Sequence, residues 1–201
     1  MHAPRALLPS ARRARLAAAA TAWCTAATAL FAVAATTSLL AAGASAAEPA
    51  IGQPAPAFSL TGSDGATYTR EGVLAKHRGV VLAWFPKAFT PGCTEELESL
   101  FASERELAAY DVGFFMVSLD EPEANREFAE TVGASFVLLS DPEKTAAERY
   151  GVLAPGGGYA KRWTFYVDDS GVLRHVDRDV KPASHGQDVV RKLGELGFPK
   201  R

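Results

Sequence analysis

From Ile51 onward the chain alternates short apolar runs with amphipathic stretches, and the breaks between them carry turn signals. Gly79-Val80-Val81-Leu82-Ala83-Trp84-Phe85 is almost continuously apolar, the pattern of a strand buried on both faces. Pro86 and Pro91-Gly92 then interrupt it. After Thr94, the residues Leu97, Leu100, Phe101 and Leu107 fall at spacings that share one helix face, which predicts a helix over roughly 93–110. Asp111 to Ser118 reads as a second buried strand, and the strand-helix-strand order implies parallel pairing. Pro122 opens a helix predicted over Glu123 to Val132 and stopped by Gly133. Phe136 to Ser140 is a further strand, and Asp141-Pro142-Glu143 opens a helix running to about Tyr150.

The flanks of this central series read as hairpins. Ile51 to Pro56 is an extended, proline-pinned entry, followed by Phe58-Ser59-Leu60, a turn at Gly62-Ser63-Asp64-Gly65, and Ala66-Thr67-Tyr68. Beyond the connection at Gly156 to Gly158, Trp163 to Val167 and Val172 to Val176 flank a turn at Asp168-Asp169-Ser170-Gly171. Ser184 is placed to cap a last helix, Gln187 to Leu196. The predicted class is α/β with a thioredoxin-like fold: a mixed central sheet of about five strands, helices on both faces, and an N-terminal β-hairpin.

The first residues follow another rule. Arg5, Arg12, Arg13 and Arg15 form a basic opening, and no charge follows until Glu48. Ala44-Ser45-Ala46 closes the apolar run with the small-x-small pattern of a signal-peptidase site, so residues 1–46 are expected to be a signal peptide and 47–201 the mature domain. The alternative is a retained membrane anchor facing the envelope, since the run is long enough to span a bilayer. Its alanine and threonine content gives weak insertion, and no stable membrane insertion is expected once the segment is cleaved. The expected destination is the periplasm or cell envelope, with the Sec and twin-arginine routes both open. Removing 1–46 takes away four arginines and no acid, moving the formal net charge from −2 to −6. An acidic surface of that kind excludes nucleic acid as the expected partner.

Of the two cysteines, Cys24 falls in the leader and Cys93 remains. A mature chain with one thiol has no disulfide framework, and a lone thiol kept in an exported protein points to use of that thiol. Cys93 lies in or beside the first turn of the predicted 93–110 helix, where backbone N–H groups without helical partners are expected to point at its sulfur. An ordinary thiol, with a pKa of about 8.5, is only about 3% thiolate at pH 7. Moving such a thiol to about 6 takes about 3.4 kcal/mol, whereas a helix N-terminus supplies about 0.3–1 and at most about 2. A nearby cation is therefore required.

Pro86-x-x-x-Thr90-x-x-Cys93 resembles the active-site signature of peroxiredoxins, the alkyl hydroperoxide reductase and thiol-specific antioxidant family. The Thr90-Pro91-Gly92-Cys93-Thr94 version is similar to the PrxQ or bacterioferritin-comigratory branch. Further likenesses follow in family order at Gly52 to Phe58, Ser118 to Asp120, Leu139 to Pro142, Tyr150 to Val152, Arg162 to Phe165 and Val180 to Pro182. The resemblance implies a thiol-dependent peroxidase that reduces hydrogen peroxide or organic hydroperoxides. Cys93 would be the nucleophile that becomes a sulfenic acid, the Thr90 hydroxyl and backbone N–H groups would hold the peroxide, and Arg162 would supply the positive charge. Pro86 would shield the pocket, and Glu96 would orient Arg162. No cofactor and no metal are implied.

Two positions depart from the family. Ala88 stands where many relatives have aspartate, a peripheral loss, and Glu98 stands where many carry a resolving cysteine. The resemblance then implies a one-cysteine type whose reductant is an external thiol, from a thioredoxin-like protein, a glutaredoxin or glutathione. It also implies a monomer or weak homodimer. The alternatives from other classes are an exported thiol–disulfide oxidoreductase, against which Thr90 occupies the first position of a Cys-x-x-Cys pair, and a non-catalytic envelope binding module.

Among the remaining candidates, His77, His175 and His185 lack metal-ligand spacing. His185, beside the last helix, reads as a capping or surface residue. Thr90 can also serve as a helix cap, and Glu96 can equally be an exposed acid in a first helical turn. Trp84, Phe85 and Phe89 read as core or pocket wall.

Overall fold

A computed structural model describes residues 48–201, so the expected leader and Cys24 lie outside the described residues. The Asp-Gly hairpin forms as β1, Ser59–Gly62, and β2, Thr67–Thr69, with Leu60 opposite Tyr68. A short helix absent from the sequence-based expectation follows at once: α1, Arg70–Leu74, capped by the Thr69 hydroxyl, which accepts from Gly72 N–H at 3.0 Å. The apolar run becomes β3, Gly79–Trp84, buried at every position.

The long helix expected over 93–110 is two helices, α2 at Pro91–Ala102 and α3 at Glu104–Leu107. The break is at Ser103, whose own side chain is buried and accepts a hydrogen bond from Gln187 Nε2 at 3.1 Å. Tertiary packing against the last helix therefore overrides the helical propensity of the sequence around it. Leu97, Leu100 and Leu107 are buried as the periodicity implies, whereas Phe101 is exposed.

Strand β4, Gly113–Ser118, pairs parallel with β3, and helix α4 spans Pro122–Glu130. Strand β5 is only Leu138–Ser140. The following helix starts later than expected, as α5 at Thr145–Tyr150, because residues 141–144 form a turn in which the buried Asp141 carboxylate accepts from Ala147 N–H at 2.7 Å. Strands β6, Trp163–Asp168, and β7, Leu173–Asp177, close the predicted second hairpin. Its turn is held by Asp168 Oδ1, which accepts from Ser170 and Val172 N–H.

The strands form one sheet in the order β2-β1-β5-β4-β3-β6-β7. The N-terminal hairpin is an extension of the central sheet, with β1 pairing antiparallel to β5, so the count rises from five to seven. Side chains on β3 divide between two cores by strict alternation: Val80, Leu82 and Trp84 on one face, Val81 and Ala83 on the other, the latter continued by Phe85 beyond the strand. The second face is covered by α2 and by α6, His185–Glu195, which a 3₁₀ turn at Pro182–Ser184 introduces. Ser184 stands at the N-cap of α6, but its hydroxyl donates to Asp188 instead of accepting from a backbone N–H.

Candidate active site

The break after β3 places Cys93 third in α2, behind Thr90 at the N-cap and Pro91 at the first helical position. Proline suits that place because a first-turn N–H has no helical acceptor. Cys93 is fully buried in the apolar cluster that holds Phe85, Ala88, Leu97 and Phe128. Trp84 projects to the opposite core, so it is core and no part of the Cys93 surroundings.

The first turn does not direct its N–H groups at the sulfur. The N–H groups of Cys93 and Thr94 both donate to the Thr90 carbonyl, at 3.0 and 2.9 Å. Among the described residues, the sulfur receives its hydrogen bond from Arg162, whose Nη2 lies 3.2 Å from Cys93 Sγ. The guanidinium is thus the cation beside the sulfur, and the apolar walls around Cys93 limit the screening of its field by water.

Arg162 immediately precedes β6. Alternation along that strand sends Thr164 and Tyr166 to the α2 side and Phe165 and Val167 to the other, and Arg162 shares the parity of Thr164. Its second terminal nitrogen, Nη1, forms an ion pair with Glu96 Oε2. Glu96 is fully buried, which corrects the alternative of an exposed first-turn acid. The position lies one helical turn after Cys93 on the covered face of α2.

The other Glu96 oxygen, Oε1, lies 2.8 Å from Nδ1 of His185. His185 is itself buried, with Nε2 at 2.8 Å from the Thr164 hydroxyl. Its expected capping or surface role is thereby overturned. Burial lowers the imidazole pKa to about 4, an effect reinforced by the positive charge of Arg162 and opposed by Asp177 and Asp188. The ring is therefore neutral at pH 7. The signal that could have found it is present in the chain: His185, Val189 and Leu193 recur every fourth residue and form the buried stripe of α6.

Thr90 reaches this group through its backbone, while its hydroxyl donates to the Lys87 carbonyl at 3.0 Å. It occupies the N-cap without a side-chain capping bond. The hydroxyl oxygen keeps lone pairs for another donor. Pro86 is half-buried at the start of the loop from β3 to α2, and no hydrogen bond or ion pair links it to the cluster. In the same loop Ala88 is buried, and its N–H donates to Asp120 Oδ2 at 2.9 Å. Phe89 holds a left-handed φ of 62° and is exposed, its ring against Phe128 at 5.2 Å between centroids. Glu98 lies on the exposed side of α2. A groove of about 400 Å³ beside β1 and α5 includes none of these residues.

Comparison with known proteins points the same way. The family model described as AhpC/TSA family matches residues 51–176. Peroxiredoxin Bcp of Escherichia coli (strain K12) is 34% identical over 152 residues, covering 72% of this chain and 95% of the relative. Among solved structures, peroxidoxin BcpB from Mycobacterium tuberculosis superimposes with a TM-score of 0.66 at 26% identity, over 74% of this chain and 98% of the other. The bacterioferritin comigratory protein of Xanthomonas campestris, a structure concerned with alkyl peroxide reduction, gives 0.62 at 26% identity, over 69% and 90%.

Proposed function

The chain belongs to the AhpC/TSA family, and from that premise we propose that Cys93 is the sulfur that attacks the peroxide and that a thiol from outside the chain restores it. The protein is a thiol-dependent peroxidase of the PrxQ or bacterioferritin-comigratory branch, an oxidoreductase with the thioredoxin-like fold.

In the proposed step, the Cys93 thiolate attacks the near oxygen of ROOH. An S–O bond forms as the O–O bond breaks, sulfur loses two electrons, and the departing oxygen takes a proton to leave as water or an alcohol. Arg162 favours the anionic sulfur and offers N–H donors to the charge that develops on the departing oxygen. Thr90, with its own hydrogen committed to Lys87, accepts a hydrogen bond from the peroxide O–H. Glu96 holds the guanidinium, and Pro86 limits water at the loop. The observation that carries the reading is the divided guanidinium: Nη2 on Cys93 Sγ at 3.2 Å and Nη1 on Glu96.

The resulting sulfenic acid has no second cysteine among the described residues, and Glu98 holds the position where many relatives carry one. An external thiol, free or on a small redox protein, condenses with it to release water, and a second thiol frees Cys93 by exchange. Residues 1–46 support a reading in which the mature domain works in the periplasm or envelope, and the resemblance to the PrxQ branch supports a monomer or weak dimer. Stopped-flow oxidation of residues 47–201 by hydrogen peroxide tests the site: one sulfenic acid per chain is expected, abolished in Cys93→Ser. A Cys93 no more reactive than free cysteine refutes it.

A further inference from the structure

We propose that His185 is a positioning residue of the peroxidase site, acting through Glu96 on Arg162; this rests on the roles given above to Cys93 and Arg162. Five side chains form one continuous chain of contacts, from Cys93 Sγ to Arg162, Glu96 and His185, ending at the Thr164 hydroxyl. It joins α2, β6 and α6.

The proton positions follow from chemistry. An ionised carboxylate can only accept, so the His185 nitrogen 2.8 Å from Glu96 Oε1, Nδ1, carries the hydrogen. The neutral ring then has Nε2 as an acceptor, and Thr164 donates to it at 2.8 Å. The carboxylate sets this tautomer, and the hydroxyl, able to donate or accept, complies by donating. Neither Glu96 Oε1 nor His185 Nδ1 has a well-directed hydrogen-bond partner, so the electrostatic contact between them is what each has in place of water.

Neutrality is what makes the ring useful. A protonated imidazole would compete with Arg162 for the carboxylate, whereas the neutral ring lies against one carboxylate oxygen and leaves the other to the guanidinium. With the ring 2.8 Å from Oε1 and Arg162 Nη1 on Oε2, the carboxylate is restrained on both sides, and its rotation would cost one of the two contacts. The guanidinium plane is set in turn, which keeps Nη2 on the sulfur.

The geometry depends on one close approach. A Cβ on Gly186 would run into the Ser99 carbonyl oxygen and stand 2.5 Å from Ser103 Oγ. Gly186 N–H instead donates to Ser99 Oγ at 3.1 Å. Only with this contact can the first turn of α6 lie close enough to α2 for His185 to meet Glu96.

The test compares His185→Asn, which keeps an N–H near the place of Nδ1, with His185→Gln, which moves the donor toward the place of Nε2. The second-order rate of Cys93 oxidation by hydrogen peroxide and the thermal midpoint are measured for each. His185→Gln is expected to lose about ten-fold in rate, as the polar contact that restrains Glu96 is displaced, and His185→Asn less than about three-fold. In a Glu96→Gln background, His185→Gln should cause no further loss, because its effect passes through that carboxylate. If His185→Gln does not fold, Thr164→Val carries the same comparison, with a smaller loss that also disappears in Glu96→Gln. Equal losses in the two histidine variants that track the thermal midpoint, or an undiminished loss in the Glu96→Gln background, overturn the proposal. A fast wild type with unaffected variants removes His185 alone; a wild type as slow as free cysteine removes the whole site.

Discussion

Glu96 and Arg162 pair across the seam between α2 and β6, sixty-six residues apart in the chain, with the carboxylate fully buried and the guanidinium largely so. A buried pair of this kind is stabilising only if its remaining valences are met, because desolvation costs several kcal/mol per ion. Here Arg162 spends Nη2 on Cys93, while Glu96 Oε1, without a directed hydrogen bond, has the buried His185 ring nitrogen 2.8 Å away. Thus the element that holds two secondary structures together is also the one that brings a positive charge to the sulfur.

Removing either member should therefore cost both stability and rate. Glu96→Ala leaves Arg162 without its anion, and we expect a loss of about 3 kcal/mol or more in denaturant unfolding, as for other broken buried pairs. Glu96→Gln keeps the shape and one acceptor, so the stability loss should be smaller while peroxide oxidation of Cys93 still slows about ten-fold. A Glu96→Gln enzyme with the wild-type rate would show that Arg162 holds its place unaided.

Arg162→Lys separates charge from geometry. A lysine ammonium is a point charge and cannot reach Glu96 and Cys93 with two nitrogens at once. We expect stopped-flow rates to fall about 100-fold in Arg162→Lys and further in Arg162→Met, in line with the loss of one preorganised donor to developing charge. Near-normal rates in Arg162→Lys would mean that charge alone suffices.

Much of this arrangement can be read in the chain, for identifiable reasons. The apolar run of β3 and the Asp168-Asp169-Ser170-Gly171 turn between β6 and β7 are local signals, and both elements form where the pattern puts them. The pairing of β1 with β5 is not local, and no spacing announces it. The break at Ser103 depends on Gln187 and Gly186 arriving from the end of the chain. At Glu96 and His185 the period and the chemistry disagree. Each lies on the buried stripe of its helix, at the turn after Cys93 and four residues before Val189, but charge and polarity point to solvent. The stripe was right, because each supplies the other's missing partner. A polar residue in register with a buried stripe is thus a signal of a buried network.

Gly186→Ala sets two effects against each other. Alanine favours a helix by about 1 kcal/mol over glycine. Its Cβ would meet Ser99 and Ser103 inside van der Waals distance, and overpacking of that kind costs about 1–3 kcal/mol. The clash should win, lowering the thermal midpoint and slowing Cys93 oxidation together as α6 is pushed from α2. A stabilised variant would show that the helices part easily.

The buried histidine gives the fold a pH dependence of known sign. Burial lowers the His185 pKa to about 4, below the ordinary 6.5, so unfolding takes up a proton between these values. Its contribution is complete above about pH 6.5 and is lost as pH falls toward 4, by an amount on the order of 3 kcal/mol. The charged groups around the ring are Glu96 from α2, Arg162 ahead of β6, Asp177 at the end of β7 and Asp188 on α6. Asp141, raised chiefly by burial, contributes with the opposite sign in acid. Urea unfolding from pH 7 to 4.5 should therefore be compared between the wild type and His185→Asn. The variant should show the shallower decline; equal slopes would mean that His185 is protonated in the folded protein.

Cys93 is buried to the last of its surface, and Glu98 offers no sulfur in place of a resolving cysteine. Two such chains cannot join Cys93 to Cys93 while α2 keeps its first turn, since both sulfurs are enclosed. Treating residues 47–201 with one equivalent of peroxide should therefore add a single oxygen by intact mass, with no disulfide-linked dimer. Further peroxide should carry the sulfur to the two-oxygen sulfinic acid, which thiols do not reverse. Adding glutathione or a thioredoxin-like protein between the two treatments should restore the starting mass and prevent that second oxidation. A rapid covalent dimer would instead show that the first turn of α2 opens readily and that a second copy of the chain can act as its own reductant.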